Sequence, residues 1–178
     1  GRVWPLPKPD PCDDGERAVA AVRESVTDAV DAVEQAPAVA FSGGIDSSIL
    51  AARLGGPLYV GGFEGSHDIY AARSAADALG RELRVVEFAH EDIERAVPAV
   101  VEAIGRTNPM DVQIALALFL VAEAVAADGH DRLAFGQGAD ELFDGHGKIE
   151  EAADDDHVDA EAVHGAVRET IEMLTTTK

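Results

Sequence analysis

The stretch "AVAFSGGIDSSIL", residues 38–50, decides how the rest of the chain is read. A short apolar run from Ala38 to Phe41 opens into Ser42-Gly43-Gly44, then Asp46 and two serines, then a second apolar run. That order predicts a buried strand, a tight loop and a helix. Gly43 and Gly44 let backbone amides approach a ligand closely. Ser42, Ser47 and Ser48 add hydroxyls, and the following helix offers a positive N-terminus. Together these residues make an anion cradle. A carboxylate at Asp46 suits such a place if Mg²⁺ bridges it to bound phosphates. An ordinary turn, with Asp46 or Ser47 as helix N-cap, fits the same residues. The lysine of the P-loop pattern G-x-x-x-x-G-K-S/T is absent, so the cradle is not that device.

Working outward, strand patterns fall at 38–41, 58–62, 83–88 and 132–136. Helical patterns lie between them at 46–54, 67–79, around 91–104 and along the apolar stretch 112–127. Strands alternating with helices predict an α/β fold: a doubly wound, mostly parallel sheet with helices on both faces. Ligands in such sheets bind at the carboxyl ends of the strands. Three chemically unusual loops fall at those ends: 42–48, 61–68 and 136–147.

The flanks read differently. Residues 1–15 are proline-rich and aperiodic, which predicts a linker or arm. Val19, Val22, Val26, Val30 and Val33 recur at helical spacing, with Pro37 expected to end that helix. A domain over 16–150 is then followed by an acidic helical tail over 151–178. That tail reads as the start of a truncated continuation.

Thirty-four acidic residues face fourteen basic ones, for a net charge of -20. Such a chain repels phosphate backbones, which argues against nucleic-acid partners. The acids are dispersed, with one short run at Asp154-Asp155-Asp156, as on the solvated surfaces of halophilic proteins, where salt screens self-repulsion. No apolar run approaches the ~20 residues that span a bilayer, and no signal peptide opens the chain, so a cytoplasmic protein without a membrane partner is expected. The lone Cys12 excludes an internal disulfide, and the six histidines lack zinc-ligand spacing.

"SGGIDSS" (42–48) is similar to the pyrophosphate-binding motif S-G-G-x-D-S of the ATP-pyrophosphatase, or PP-loop, superfamily. "FGQGADELFDGH" (135–146) resembles the G-E-G-S/A-D-E-L/V-F-G-G-Y signature of the asparagine synthetase domain. "GGFEGSHDIYAARSAADALG" (61–80) resembles the segment after that family's second strand, and "RVWPLP" its interdomain linker. The resemblance implies an adenine nucleotide α-hydrolase-like fold and an ATP-dependent, AMP-forming ligase. Such an enzyme adenylates a carboxylate, aspartate by default, and accepts ammonia to give the amide. Carried over, Ser42, Gly43, Gly44, Asp46, Ser47 and Ser48 would hold the pyrophosphate end of ATP. Phe41, Gly61, Phe135, Gly136 and Gly138 would surround the nucleotide. Asp46 and Asp140 would hold Mg²⁺, and Gln137 would stand at the catalytic glutamate's place.

Arg73 and Gln113 are weaker candidates for reaching the cleft. Three departures stand against the resemblance. Gln137 replaces the glutamate of G-E-G, and an amide cannot act as a general base. Asp144 and His146 replace a glycine and the tyrosine of the F-G-G-Y tail. The family's later lysine and its amino-terminal glutaminase have no counterpart here, so a separate or missing glutaminase is expected. A homo-oligomer is compatible with the pattern. Other acceptors within the superfamily, β-lactam-forming or tRNA-modifying, and a catalytically reduced nucleotide-binding domain remain as alternatives.

Overall fold

The computed structural model describes residues 12–139. The chain divides into two compact units at Gln35–Ala36, and each is described by itself. In the first, helix α1 spans Gly15–Asp31, with the Asp14 carboxylate accepting from the Arg17 amide at 3.1 Å as its N-cap. The helix ends six residues before Pro37. A proline bars only its immediate predecessor from the helical region, and Gln35 and Ala36 have already turned to positive φ. Val19 and Val22 stay exposed, so the valine stripe is only partly a core face. Of the arm 1–15, residues 1–11 lie outside the described residues and Gly15 is already helical.

The second unit alternates as the sequence predicts: β1 (Ala38–Ala40), α2 (Ile45–Arg53), β2 (Leu58–Gly62), α3 (His67–Leu79), β3 (Leu83–Glu87), α4 (His90–Ile104), α5 (Pro109–Ala127) and β4 (Leu133–Ala134). All strand pairs are parallel, in the order β3-β2-β1-β4. The chain therefore runs outward from β1 to β3, then crosses back to place β4 on β1's other side. That reversal sets a crevice at the carboxyl ends of β1 and β4.

Successive strand residues point to opposite faces, and two glycines mark the faces here. A Cβ on Gly61 would strike Val121 of α5, whereas one on Gly62 would approach Ser66 and Ile69 at the start of α3. The sheet is thus covered on both sides. Ala38 and Tyr59 pack with Val121 and Val125 of α5, while Ala96 and Val100 of α4 pack with Leu116 and Leu120 on a second face of α5. The inner strands are mostly buried, becoming half-buried only at their carboxyl ends in Ala40, Gly61 and Gly62. β3 and β4 are edges, and their residues are at most half-buried.

Helix α5 begins at Pro109, three residues before the apolar run that predicts it. Asn108 caps it through a 2.9 Å bond from the Met110 amide, with proline in the first turn, where its missing N–H costs nothing. At nineteen residues it is long and apolar enough, by length and composition, to cross a membrane. This corrects the expectation that no run approaches that length. Two of its faces are nevertheless core faces against the sheet and α4.

Arg81 ties α2 to the start of β2. Its guanidinium donates to the carbonyls of Ala51, Gly56 and, at 2.7 Å, Leu54. The Ala51 carbonyl is one that the end of α2 leaves orphaned, and those of Leu54 and Gly56 belong to the turn that follows. Hydrogen bonds to a charged donor contribute about 1.5–3 kcal/mol, so Arg81→Ala is expected to lower the melting temperature by roughly 3–12 °C. Arg73→Ala, at an exposed position on α3, should leave it within about 2 °C. Thermal unfolding of the two variants checks the contrast.

Candidate functional site

A cavity of about 280 Å³ opens at the crevice, lined by residues from β1, β2, α2, α3 and α5 and from the loops after β1 and β4. Ala40 ends β1, Phe41, Ser42 and Gly44 follow it, and Asp46 and Ser47 lie in the first turn of α2. Tyr59, Val60 and Gly61 come from β2, and Asp68 from the first turn of α3. Ala117, Leu118 and Val121 come from α5, and Phe135, Gly136 and Gln137 from the segment after β4. Nine of the residues singled out from sequence meet here: Phe41, Ser42, Gly44, Asp46, Ser47, Gly61, Phe135, Gly136 and Gln137.

The loop after β1 is held by its own serines. The Gly44 amide donates to Ser42 Oγ at 3.3 Å, and Ser47 Oγ donates to the Gly44 carbonyl at 3.1 Å. Ser42 and Ser47 Oγ lie 3.1 Å apart. A hydroxyl has one proton. With the Ser47 proton spent on Gly44, Ser42 is the donor of that pair, and the three bonds close a ring. Gly43 sits at φ +80°, and a Cβ there would lie 2.8 Å from the Ala71 carbonyl. The loop therefore rests directly on the backbone of α3, with φ and space both demanding glycine.

Gly44 is the N-cap of α2 and no side chain caps that helix. By contrast α1, α3 and α5 are capped by Asp14, Ser66 and Asn108. Amides of an uncapped first turn want an acceptor, and the dipole wants it anionic. This overturns the capping alternative for both Asp46 and Ser47. Asp46 lies within the first turn, half-buried, with its side chain not used as a cap. Ser47, 4 % exposed, locks the loop.

Gly136 joins the two motif loops. A Cβ on it would lie 2.9 Å from Asp46 Cβ and 3.0 Å from the Ser47 amide nitrogen. The strand order brings β4 beside β1, and the missing side chain lets its loop lie against the start of α2. Gln137 thereby reaches the cavity. Tyr59 anchors the opposite wall. Its hydroxyl donates to Asp128 Oδ2 at 2.7 Å, and Arg84 pairs with the same carboxylate and lies 5.9 Å over the Tyr59 ring. Burial, then the Asp128 carboxylate, push the Tyr59 hydroxyl up. The bond from Tyr59, then Arg84, hold Asp128 below the usual carboxylate range.

The remaining sequence candidates fall outside the cavity. Gly43 and Ser48 shape the loop and the first helical turn without lining it, and Gly138 turns the chain at φ +94°. Arg73 borders a separate surface cleft with Arg81 and Arg84, and Gln113 is exposed on α5. Neither reaches the site, because helical spacing alone does not say which face meets the sheet edge. Asp140, Asp144 and His146, and the tail 151–178, lie outside the described residues. The sequence reading passed over Tyr59, Val121 and Asp68. Of these, Asp68 carried a signal, standing in the segment 61–80 that carries part of the family resemblance.

The donor set fits a nucleotide phosphate and a hard cation. Mg²⁺ takes one or two carboxylates and completes its shell with phosphate oxygens and water. That agrees with Asp46 and Asp68 in one cavity and with no cluster of three or more His, Cys, Asp or Glu among the described residues.

A family model described as asparagine synthase matches residues 21–175. The protein of Methanocaldococcus jannaschii that carries the name glutamine-hydrolysing asparagine synthetase 1 is 37% identical over 115 residues, covering 61% of this chain and 21% of the relative. The glutamine-hydrolysing asparagine synthetase of Homo sapiens is 30% identical over 118 residues, covering 60% and 21%. The chain thus spans about a fifth of the length of these curated relatives. Among solved structures, the NH3-dependent NAD synthetase of Campylobacter jejuni aligns over 88% of this chain and 73% of its own. Its TM-score is 0.42 and its identity 16%.

Proposed function

The chain belongs to the asparagine synthase family, within the PP-loop superfamily, and on that premise we propose that its cavity binds ATP and supports adenylation of a small carboxylate, with aspartate as substrate and ammonia as acceptor. The observation that carries this reading is the first turn of α2, uncapped beside a cavity that also holds Asp46.

In the proposed reaction the substrate carboxylate attacks the α phosphorus of ATP, and pyrophosphate leaves to give an acyl-adenylate. Ammonia then attacks the acyl carbon, its nitrogen loses a proton to solvent, and AMP departs with the electrons of the broken C–O bond. The loop 42–48 offers amides to the leaving pyrophosphate, whose charge grows as the bond breaks. The ring among Ser42, Gly44 and Ser47 fixes those amides before the ligand arrives, so little reorganisation is needed. Phe41, Leu118, Val121 and Phe135 supply an apolar wall for the adenine. Asp46, with Asp140 where the family motif places it, would hold Mg²⁺, which would neutralise phosphate charge. A glutaminase outside this chain would supply the ammonia, and a cytoplasmic, salt-loaded setting suits the net charge of -20.

One observation favours a second reading. Gln137 lines the cavity where the family signature has glutamate, and an amide takes no proton. A domain that binds ATP without turning it over follows if that position is needed for chemistry. Phosphorus NMR of Mg·ATP with the protein in molar potassium chloride decides between them. AMP and pyrophosphate appearing only with both aspartate and ammonia is the expected result. ATP bound but intact under every condition would leave the binding domain alone standing.

A further inference from the structure

α5 carries apolar residues on every face, interrupted by Asp111, Gln113 and Glu123, yet only Leu116, Leu120, Val121 and Val125 of its nineteen residues are buried. A helix of that composition normally lies inside a core. Its buried residues face α4 and the sheet. The third face is bare: Met110 is 70% and Ile114 48% exposed, and helical spacing continues that stripe through Leu118 and Ala122. Beside it lies an almost wholly apolar groove of about 360 Å³. Val100, Ala103 and Ile104 of α4 form one side, Ala115, Leu118, Phe119 and Ala122 of α5 the other, with Leu133 and Phe135 at one end. An exposed patch of this kind marks something that covers it.

We propose that the cover is the chain's own segment 158–174, whose apolar stripe seats along the groove between α4 and α5. Phe135 borders the groove, and the description ends at Ala139, four residues further on. Thirty-nine residues follow. Among them Val163, Val167, Ile171 and Leu174 recur at helical spacing, while Arg168, Glu169 and Glu172 fall between. That is a narrow apolar stripe with a charged back, the complement of a groove flanked by solvent. The connection 140–157, at up to about 3.3 Å per residue, reaches further than the length of α5 at about 1.5 Å per residue. The family match runs to residue 175, so the stripe belongs to the same domain as the sheet. Leu118 and Phe135 line both the groove and the nucleotide cavity. The seated segment would therefore back one wall of the site.

The test uses the full chain with a photoreactive benzoylphenylalanine in place of Phe119. Irradiation is expected to give a monomeric adduct whose cross-linked peptide maps within 158–174. A cross-linked dimer would assign the groove to a second copy and overturn the proposal. An adduct confined to residues 12–139 would overturn it as well. A second measurement uses Val167→Asp/Ile171→Asp. Amide exchange in α5 is expected to quicken about tenfold, while β1 and β2 amides stay unchanged. Unchanged exchange in α5 would also overturn it. Neither readout requires ATP to bind, so this inference and the proposed activity fail separately.

Discussion

Asp46→Asn is expected to weaken binding of Mg·ATP on the order of 100-fold, about 2.7 kcal/mol, while barely touching stability. The substitution keeps shape and hydrogen-bonding capacity and removes one negative charge. If that charge holds the cation, affinity measured with Mg²⁺ collapses. Affinity for ATP without Mg²⁺ should instead stay level or improve, because one carboxylate fewer then faces the phosphates. The opposite signs of the two effects are diagnostic, since a damaged fold would weaken both. The stability cost is bounded by the helix dipole: an acid in the first turn contributes about 0.3–1 kcal/mol, and relief of self-repulsion in a chain of net charge -20 offsets part of it. Titration calorimetry with and without Mg²⁺, beside a melting curve, measures all three. Equal weakening in both titrations would remove the metal-holding role from Asp46.

Much of the second unit was legible because its signals are local. Small and β-branched runs bounded by Gly, Pro and Ser gave each strand to within two residues at either end, and glycines closed α3 and α4 in the left-handed conformation. The start of α5 was missed by three residues only because hydrophobic periodicity begins after the cap. Asn108-Pro109 was a readable start signal on its own. The end of α1 was overrun because a valine stripe persists to Val33 whether or not the backbone follows it.

The site divides the same way. The loop 42–48 draws notice by its glycines, hydroxyls and carboxylate, although an ordinary capped turn fits the same residues until Gly44 is seen as the N-cap of α2. The far wall draws no such notice. Tyr59 and Val121 reach the cavity through the order β3-β2-β1-β4 and the alternation of side chains along β2, neither of which a single segment encodes. The bond from Tyr59 to Asp128 spans 69 positions in the chain, and no spacing rule predicts it. Asp68 lies between these cases. Its motif was visible, but only the cavity shows that it shares a wall with Asp46.

Gly136→Ala is expected to cost at least as much binding as Asp46→Asn, by a different route. The added Cβ would meet Asp46 Cβ at 2.9 Å and the Ser47 amide nitrogen at 3.0 Å, atoms fixed by the first turn of α2. No flexible side-chain end can yield there, so the loop after β4 must withdraw and take Gln137 with it. Overpacking of this kind costs about 1–3 kcal/mol, which lowers the melting temperature by roughly 2–12 °C for a chain of this length. ATP affinity should fall by 100-fold or more whether or not Mg²⁺ is present, because the cavity itself opens. The double variant separates the two mechanisms. Residues in contact couple, whereas independent sites add to within about 0.5 kcal/mol. If Gly136 acts by keeping the β4 loop against Asp46, most of the Asp46→Asn effect disappears once alanine stands at 136. Strict additivity in a double-mutant cycle would mean that the two loops serve the ligand separately, and that their contact is packing alone.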